Sequence, residues 1–261
     1  MLLQPPTHAL VRHPGPNAAE GLTDVHEPAD PDAIAAEHAA SVTALRDAGL
    51  EVIELPADPD RPDGYFVEDV AVCLGPELVV LTNPGAPERG GEVDAVAEAL
   101  PHPTKLRLTD VGGPDATLDG GDVLIAADRV LVGLSRRTNI AGARALAGIL
   151  ARHHPAWPVS IIRIQGVLHL KTGLTEVTPG TVLRAAAMRP PADVFALAGL
   201  DEVLVDDVNH ANVVPLGEVT LVPEGARAAA RIAGRRTRVI EVPLTHIGRM
   251  DGGLTCLSLR W

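Results

Sequence analysis

The chain has 261 residues and a formal charge of −12, with 46% hydrophobic and 21% charged residues. That acidic balance argues against a nucleic-acid partner, which needs a basic surface, and suits a small cationic substrate. Two cysteines exclude a disulfide framework, no apolar run reaches the ~20 residues of a membrane helix, and residues 1–6 lack a basic stretch followed by an apolar one, so a soluble cytoplasmic protein is expected.

In chain order, a strand is expected at 9–12 and a helix at 34–48, entered at Pro31 and closed by Gly49. A strand follows at 51–55. The Pro/Asp-rich stretches 27–32 and 57–63 read as surface loops. The order strand, short turn, strand, helix, strand then runs four times. The first covers 70–74, 78–82, 91–100 and 105–108, and the second 122–126, 129–134, 139–153 and 159–164. The third covers 168–175, 181–185, 191–198 and 202–205, and the fourth 212–216, 219–222, 224–234 and 237–242. A last strand at 254–260 completes a fifth unit if it pairs with 9–12. First strands start at intervals of 52, 46, 44 and 42 residues. This predicts one α/β domain over 1–261, built of five ββαβ units and closed into a ring by pairing the two termini. An open α/β sheet without symmetry is the alternative.

Equivalent positions of repeated units converge on a ring axis. At or just before each first strand stand Glu68-Asp69, Asp119-Gly-Gly-Asp122, His169, Asn209-His210-Ala-Asn212 and Asp251-Gly-Gly-Leu-Thr-Cys256. An acid, a histidine and a cysteine from different units fit a thiol-nucleophile site. Each also has a plain structural reading. Cys256 and His169 could be quietly buried, and Asp119 could be a turn residue. Glu68 and Asp69, entering an apolar strand, need partners. Arg89 and the pair Arg136-Arg137 read by themselves as surface charges. Cys73 reads as a buried small side chain, and no metal-ligand spacing emerges. Scarcity adds a hint. The chain has five aromatics and two lysines, and Tyr65, Phe66, Lys171 and Cys256 fall beside these positions.

Several blocks carry a resemblance. Phe66-Val-Glu-Asp-Val-Ala-Val72, Leu81-Thr-Asn-Pro-Gly-Ala-Pro87, Ala116-Thr-Leu-Asp-Gly-Gly-Asp-Val-Leu124, Val132-Gly-Leu-Ser-Arg-Arg-Thr-Asn139, Leu168-His-Leu-Lys171 and Asp251-Gly-Gly-Leu-Thr-Cys256 resemble the dimethylarginine dimethylaminohydrolase family. That family belongs to the pentein superfamily of guanidine-modifying enzymes, whose fold is a five-bladed α/β propeller. The resemblance implies hydrolysis of Nω-methylated L-arginines to citrulline and a methylamine, through a covalent thiouronium on the cysteine. It implies Cys256 as nucleophile, His169 as general acid/base and Asp119 as the residue orienting His169. It places Glu68 and Asp69 on the guanidinium, Arg89 and Arg137 on the α-carboxylate, and Asp63 on the α-ammonium. The backbone carbonyls of Leu22 and Met250 would also face the amine.

No cofactor is implied, and zinc at the nucleophile would be inhibitory. Leu257 stands where some relatives carry a second cysteine, and Thr172-Gly173 follow the His-Leu-Lys run differently from animal-type sequences. Both departures bear on substrate breadth more than on reaction type. An arginine deiminase and a non-catalytic binding protein of the same fold are the alternatives. Residues 17–23 are a candidate lid by position, and a monomer or homodimer is expected.

Overall fold

The structure is a computed structural model that describes residues 3–191 and 194–261. Strands β1 (His8–Arg12) and β2 (Glu51–Leu55) run parallel on either side of the helix Pro31–Asp47. Three sheets follow in chain order: β3 (Ala71–Cys73), β4 (Leu78–Leu81) and β5 (Thr104–Arg107); β6 (Val123–Ile125), β7 (Val130–Leu134) and β8 (Val159–Arg163); β9 (Leu174–Thr178), β10 (Thr181–Ala185) and β11 (Asp201–Val205). A fourth holds β12 (Val214–Pro215), β13 (Val219–Pro223) and β14 (Arg238–Val242). The last strand, β15 (Leu259–Arg260), pairs antiparallel with β1 through Ala9↔Arg260 and Leu10↔Leu259. Each sheet thus has one antiparallel and one parallel pairing, the latter spanned by a helix. These are the five ββαβ units read from the repeat, with the fifth assembled from both ends of the chain.

Composition follows position in each sheet. The middle strands β4, β7 and β13 read LVVL, VLVGL and VTLVP and are almost wholly buried. A strand covered on both faces needs a continuous apolar run. The third strands read EVIEL, TKLR and RVIEV and show exposed charged positions. Charge on an outer strand discourages pairing with another chain. Helices cover the sheets with small aliphatic side chains, as where Ala143, Leu146, Ile149 and Leu150 pack on Val130 and Val132.

One feature differs from the sequence expectation. Inner strands start at Ala71, Val123, Leu174, Val214 and Leu259, later than expected. A short helical turn precedes each of them: Val67–Val70, Gly120–Asp122, Leu170–Gly173, Asn209–Ala211 and Leu254–Leu257. One turn buried on all sides has no readable period, so its apolar residues merge with the strand that follows. Neighbouring turns touch in sequence around the ring, and the turn at Leu254–Leu257 reaches back to the one at Val67–Val70. The helix expected at 191–198 lies partly outside the described residues; Val194–Leu197 is helical.

A long-range clamp positions the last turn. Glu37 is buried on the helix Pro31–Asp47. Its carboxylate accepts the backbone N–H groups of Thr245 (2.9 Å), His246 (2.9 Å) and Ile247 (2.9 Å). These are unpaired donors at the start of the helix Thr245–Gly248, which leads into Met250 and Asp251. Glu37→Ala strands three donors and is expected to lower stability by about 2–3 kcal/mol in urea unfolding. A loss below about 0.5 kcal/mol would show that the clamp carries little of the fold.

Candidate active site

The turns place their polar residues toward one cavity. Asp119 is the N-cap of the turn Gly120–Asp122 and is fully buried. Its Oδ2 lies 2.9 Å from His169 Nε2, and its Oδ1 accepts the Gly85 N–H at 2.7 Å. Its own N–H donates to Thr138 Oγ1 at 3.1 Å. A carboxylate held on both sides in this way fixes the imidazole plane. His169 caps the next turn, its N–H donating to Thr172 Oγ1 at 3.3 Å. The other ring nitrogen, Nδ1, lies 3.9 Å from Asp69 Oδ1. Glycine is required between them: a Cβ on Gly121 would sit 2.7 Å from Asp69 Oδ1 and 2.8 Å from His169 Nδ1.

Glu68 and Asp69 lie on a helical turn rather than a strand, and both are buried with their own partners. Asp69 accepts the Gly121 N–H at 3.0 Å and pairs with Arg89 Nη1 at 2.5 Å. Burial pushes its carboxyl up, but the His169 and Arg89 charges hold it below the usual range. Arg89 is itself buried. Its Nε and Nη2 bond Glu92, and Nη2 also bonds the Phe66 carbonyl at 2.8 Å. Five N–H donors less these four leave Arg89 one N–H, on Nη1. Glu68 Oε1 accepts Lys171 Nζ at 2.7 Å and Arg260 Nη2 at 3.1 Å, while Glu68 Oε2 is buried without a partner.

Cys256 sits on the turn Leu254–Leu257, buried, with the Gly253 N–H 3.4 Å from its Sγ. Burial, then the Glu68 and Asp69 charges, push the thiol up to about 12. His169 moves the other way from expectation for a buried imidazole. Burial lowers it, but the Asp69 charge and the Asp119 bond outweigh that and push it up to about 9. The two shifts favour a neutral thiol and a protonated imidazole on the wall of one cavity.

Leu22, Asp63, Phe66, Asp69, Arg89, Arg137, His169, Met250 and Cys256 all line this one cavity. Asp119 stands behind His169, and Glu68 lies beside Cys256 outside the lining. A second, outer cavity shares Leu22, Arg137, Leu168 and Asp251 with the first, so these four mark the throat. Arg137 is half-buried there. Asp63 accepts the Leu22 N–H at 3.0 Å, and burial raises its carboxyl above the usual range. Of the segment 17–23, Leu22 and Thr23 line the outer cavity. Thr23 Oγ1 donates to the Arg249 carbonyl at 3.0 Å, and Asp251 Oδ2 accepts the Asp24 N–H at 2.7 Å. Asp251 adopts a φ of +58, a left-handed conformation at the head of the Gly-Gly turn.

Sequence reasoning missed the supports. Asp122 is fully buried, accepting the Leu170 N–H at 2.8 Å and the Ser135 hydroxyl at 2.6 Å. Ser135 Oγ in turn accepts the Arg137 N–H at 2.9 Å. The second acid of Asp119-Gly-Gly-Asp122 was the available signal. Nothing local marks Glu37 or Glu92. No metal-ligand spacing was read from the sequence, yet the fold gathers ligand atoms of Asp69, Asp119 and His169 within 4.8 Å of one another. A cation there would compete for the nitrogen and oxygen atoms that already bond each other.

The chain is similar to known proteins along most of its length. A family model described as N,N dimethylarginine dimethylhydrolase, eukaryotic, matches residues 20–157, and one described as arginine deiminase matches 99–221. The N(G),N(G)-dimethylarginine dimethylaminohydrolase of Pseudomonas aeruginosa is 33% identical, over 97% of this chain and 99% of that protein. The protein of the same name from Streptomyces coelicolor is 33% identical over 98% and 97%. A solved Pseudomonas aeruginosa structure, a Cys-to-Ser variant of that enzyme complexed with citrulline, superposes with a TM-score of 0.88 at 29% identity, covering 99% of this chain and 100% of that one. Its fold is the pentein propeller, and the five units here are its five blades. The chain belongs to the dimethylarginine dimethylaminohydrolase family.

Proposed function

We propose that the chain, acting as one catalytic domain over 1–261, hydrolyses Nω-methylated L-arginines to L-citrulline and a methylamine. The observation that carries this reading is the shared cavity: Cys256, His169 and Asp69 line its wall, Arg137 and Leu22 mark its throat, and Asp63 lines it where it accepts the Leu22 N–H. A guanidinium is planar and cationic, and carboxylates beside its N–H groups bind and orient it. Asp69 and the free Oε2 of Glu68 are suited to that role. At the throat, Arg137 takes the α-carboxylate, with Arg89 behind it, while Asp63 and the carbonyls of Leu22 and Met250 take the α-ammonium.

The chemistry follows from the charges. The Glu68 and Asp69 anions oppose ionisation of Cys256 in the free protein. A bound guanidinium offsets them, so the thiol gives up its proton to solvent when substrate arrives. The thiolate attacks the guanidinium carbon and forms a C–S bond. His169 gives its proton to the departing methylamine nitrogen as that C–N bond breaks, leaving a thiouronium on Cys256. The neutral imidazole then takes a proton from water. The resulting hydroxide adds to the same carbon, the C–S bond breaks with its electron pair on sulfur, the hydroxyl proton passes to the thiolate as the C=O bond forms, and citrulline leaves. Asp119 keeps the imidazole aligned through both halves.

Two measurements test the reaction itself. In a citrulline-release panel, dimethylarginine or monomethylarginine is expected to turn over faster than arginine. Faster turnover of arginine would favour the deiminase reading, which the family match at 99–221 also raises. Cys256→Ser is expected to abolish release with an unchanged melting temperature, and retained activity would remove the covalent route.

Arg137→Ala is expected to raise KM about 10- to 100-fold, the loss of one charge-assisted bond, with kcat moved less. Arg89→Ala should act differently, losing roughly 3–5 kcal/mol of stability because Asp69 and Glu92 are left buried and unpaired. If KM is unmoved in both variants, the carboxylate assignment is wrong.

The pH dependence has a definite sign. His169, near 9 in the free protein, must carry its proton to expel the amine, so turnover at saturating substrate is expected to fall on the alkaline side of the profile. The free thiol near 12 should show iodoacetamide alkylation rising about tenfold per pH unit from 7 to 9.5 without a plateau. A plateau below pH 9 would mean that the thiolate forms without substrate.

A further inference from the structure

Four of the five turns supply residues already given a role at the cavity; the fourth unit, with Asn209–Ala211, does not. Its contribution is Asn212, the residue closing that turn, which is 1% exposed. Its amide makes three hydrogen bonds, all to two other turns. Nδ2 donates to the Lys171 carbonyl at 2.7 Å and to Thr255 Oγ1 at 3.1 Å, and Oδ1 accepts the Thr255 N–H at 2.9 Å. Thr255 immediately precedes Cys256, and Lys171 lies two residues after His169. One side chain thus ties the backbone carrying the nucleophile to the backbone carrying the acid/base. The fit is close: a Cβ on Gly253 would lie 2.5 Å from the Asn212 amide.

We propose that Asn212 is a positioning residue that holds the Cys256 turn in register with the His169 turn. This rests on the roles assigned above to those two residues. Asn212 is outside the cavity lining, so it touches no substrate and should leave binding alone. What it controls is the approach of the thiolate to a carbon whose leaving nitrogen must face His169 at the same moment. A displacement of about 1 Å in such a geometry costs on the order of 100-fold in rate. An isolated structural role would instead show as lost stability, with turnover intact well below the melting temperature.

The test is Asn212→Ala, assayed at 15 °C with whichever of dimethyl-, monomethyl- and unmodified arginine the wild type turns over fastest. An error about the preferred substrate then shows in the wild-type panel and leaves the ratio intact. An error about the nucleophile shows as activity in Cys256→Ser. The expected result is a kcat lower by about 30- to 100-fold. KM and the rate of Cys256 alkylation by iodoacetamide should each stay within about threefold of wild type, because binding and thiol acidity are untouched. A kcat within about twofold of wild type, or a KM that rises while kcat holds, overturns the proposal. If Asn212→Ala fails to fold, Thr255→Val removes one of the three bonds. It is expected to lower kcat about three- to tenfold at constant KM, and an unchanged kcat there also overturns it.

Discussion

A buried carboxylate is tolerable only where its charge is answered, and Asp69 is where this molecule meets that constraint. Its two oxygens are divided between Arg89 on one side and the Gly121 N–H and His169 on the other. Remove it in thought, and Arg89 loses a buried partner while His169 loses the charge that most raises its affinity for a proton. The same carboxylate opposes ionisation of Cys256. One residue therefore raises the proton affinity of His169 and adds to the burial and the Glu68 charge that keep Cys256 neutral.

The fold makes this density of charge affordable by distributing it. Each blade is an ordinary aliphatic unit, its core built of Ala, Val, Leu and Ile. The polar residues that line the cavity come from the turns entering the inner strands and from loops. Because each turn belongs to a different blade, the charges are held by separate cores and need not compete for one backbone. Glu68 and Asp69 are adjacent in sequence, yet the first answers to Lys171 and Arg260 and the second to Arg89 and His169. The scarcity of lysine acquires a meaning here: one of only two lysines is half-buried and pairs with Glu68.

Closure of the ring brings the chain ends into the same argument. β15 and β1 complete the fifth sheet, and Glu37 near the start of the chain caps the helix that leads to Cys256 near its end. The nucleophile's turn is thereby braced from the first residues of the fold as well as from Asn212 in the fourth unit.

Much of this was legible in the sequence, and for a local reason. Apolar runs, turn residues and Ala-rich helical stretches are properties of neighbours along the chain, so the five units, their order and the need to join the ends could be read directly. Cys256, His169 and Asp119 stood out because they occupy equivalent places in that repeat. The helical turns at Leu170–Gly173 and Leu254–Leu257 were not legible, since three or four buried residues carry no period. Nor were the partners. Asp69 meets Arg89 across 20 residues, His169 meets Asp119 across 50, and Glu37 meets Ile247 across 210. The sequence alone determined which residue types are carried to the axis. Only the tertiary structure decided which of their atoms face one another, because hydrogen bonds and charge pairing act over a few ångströms of space and are blind to separation along the chain.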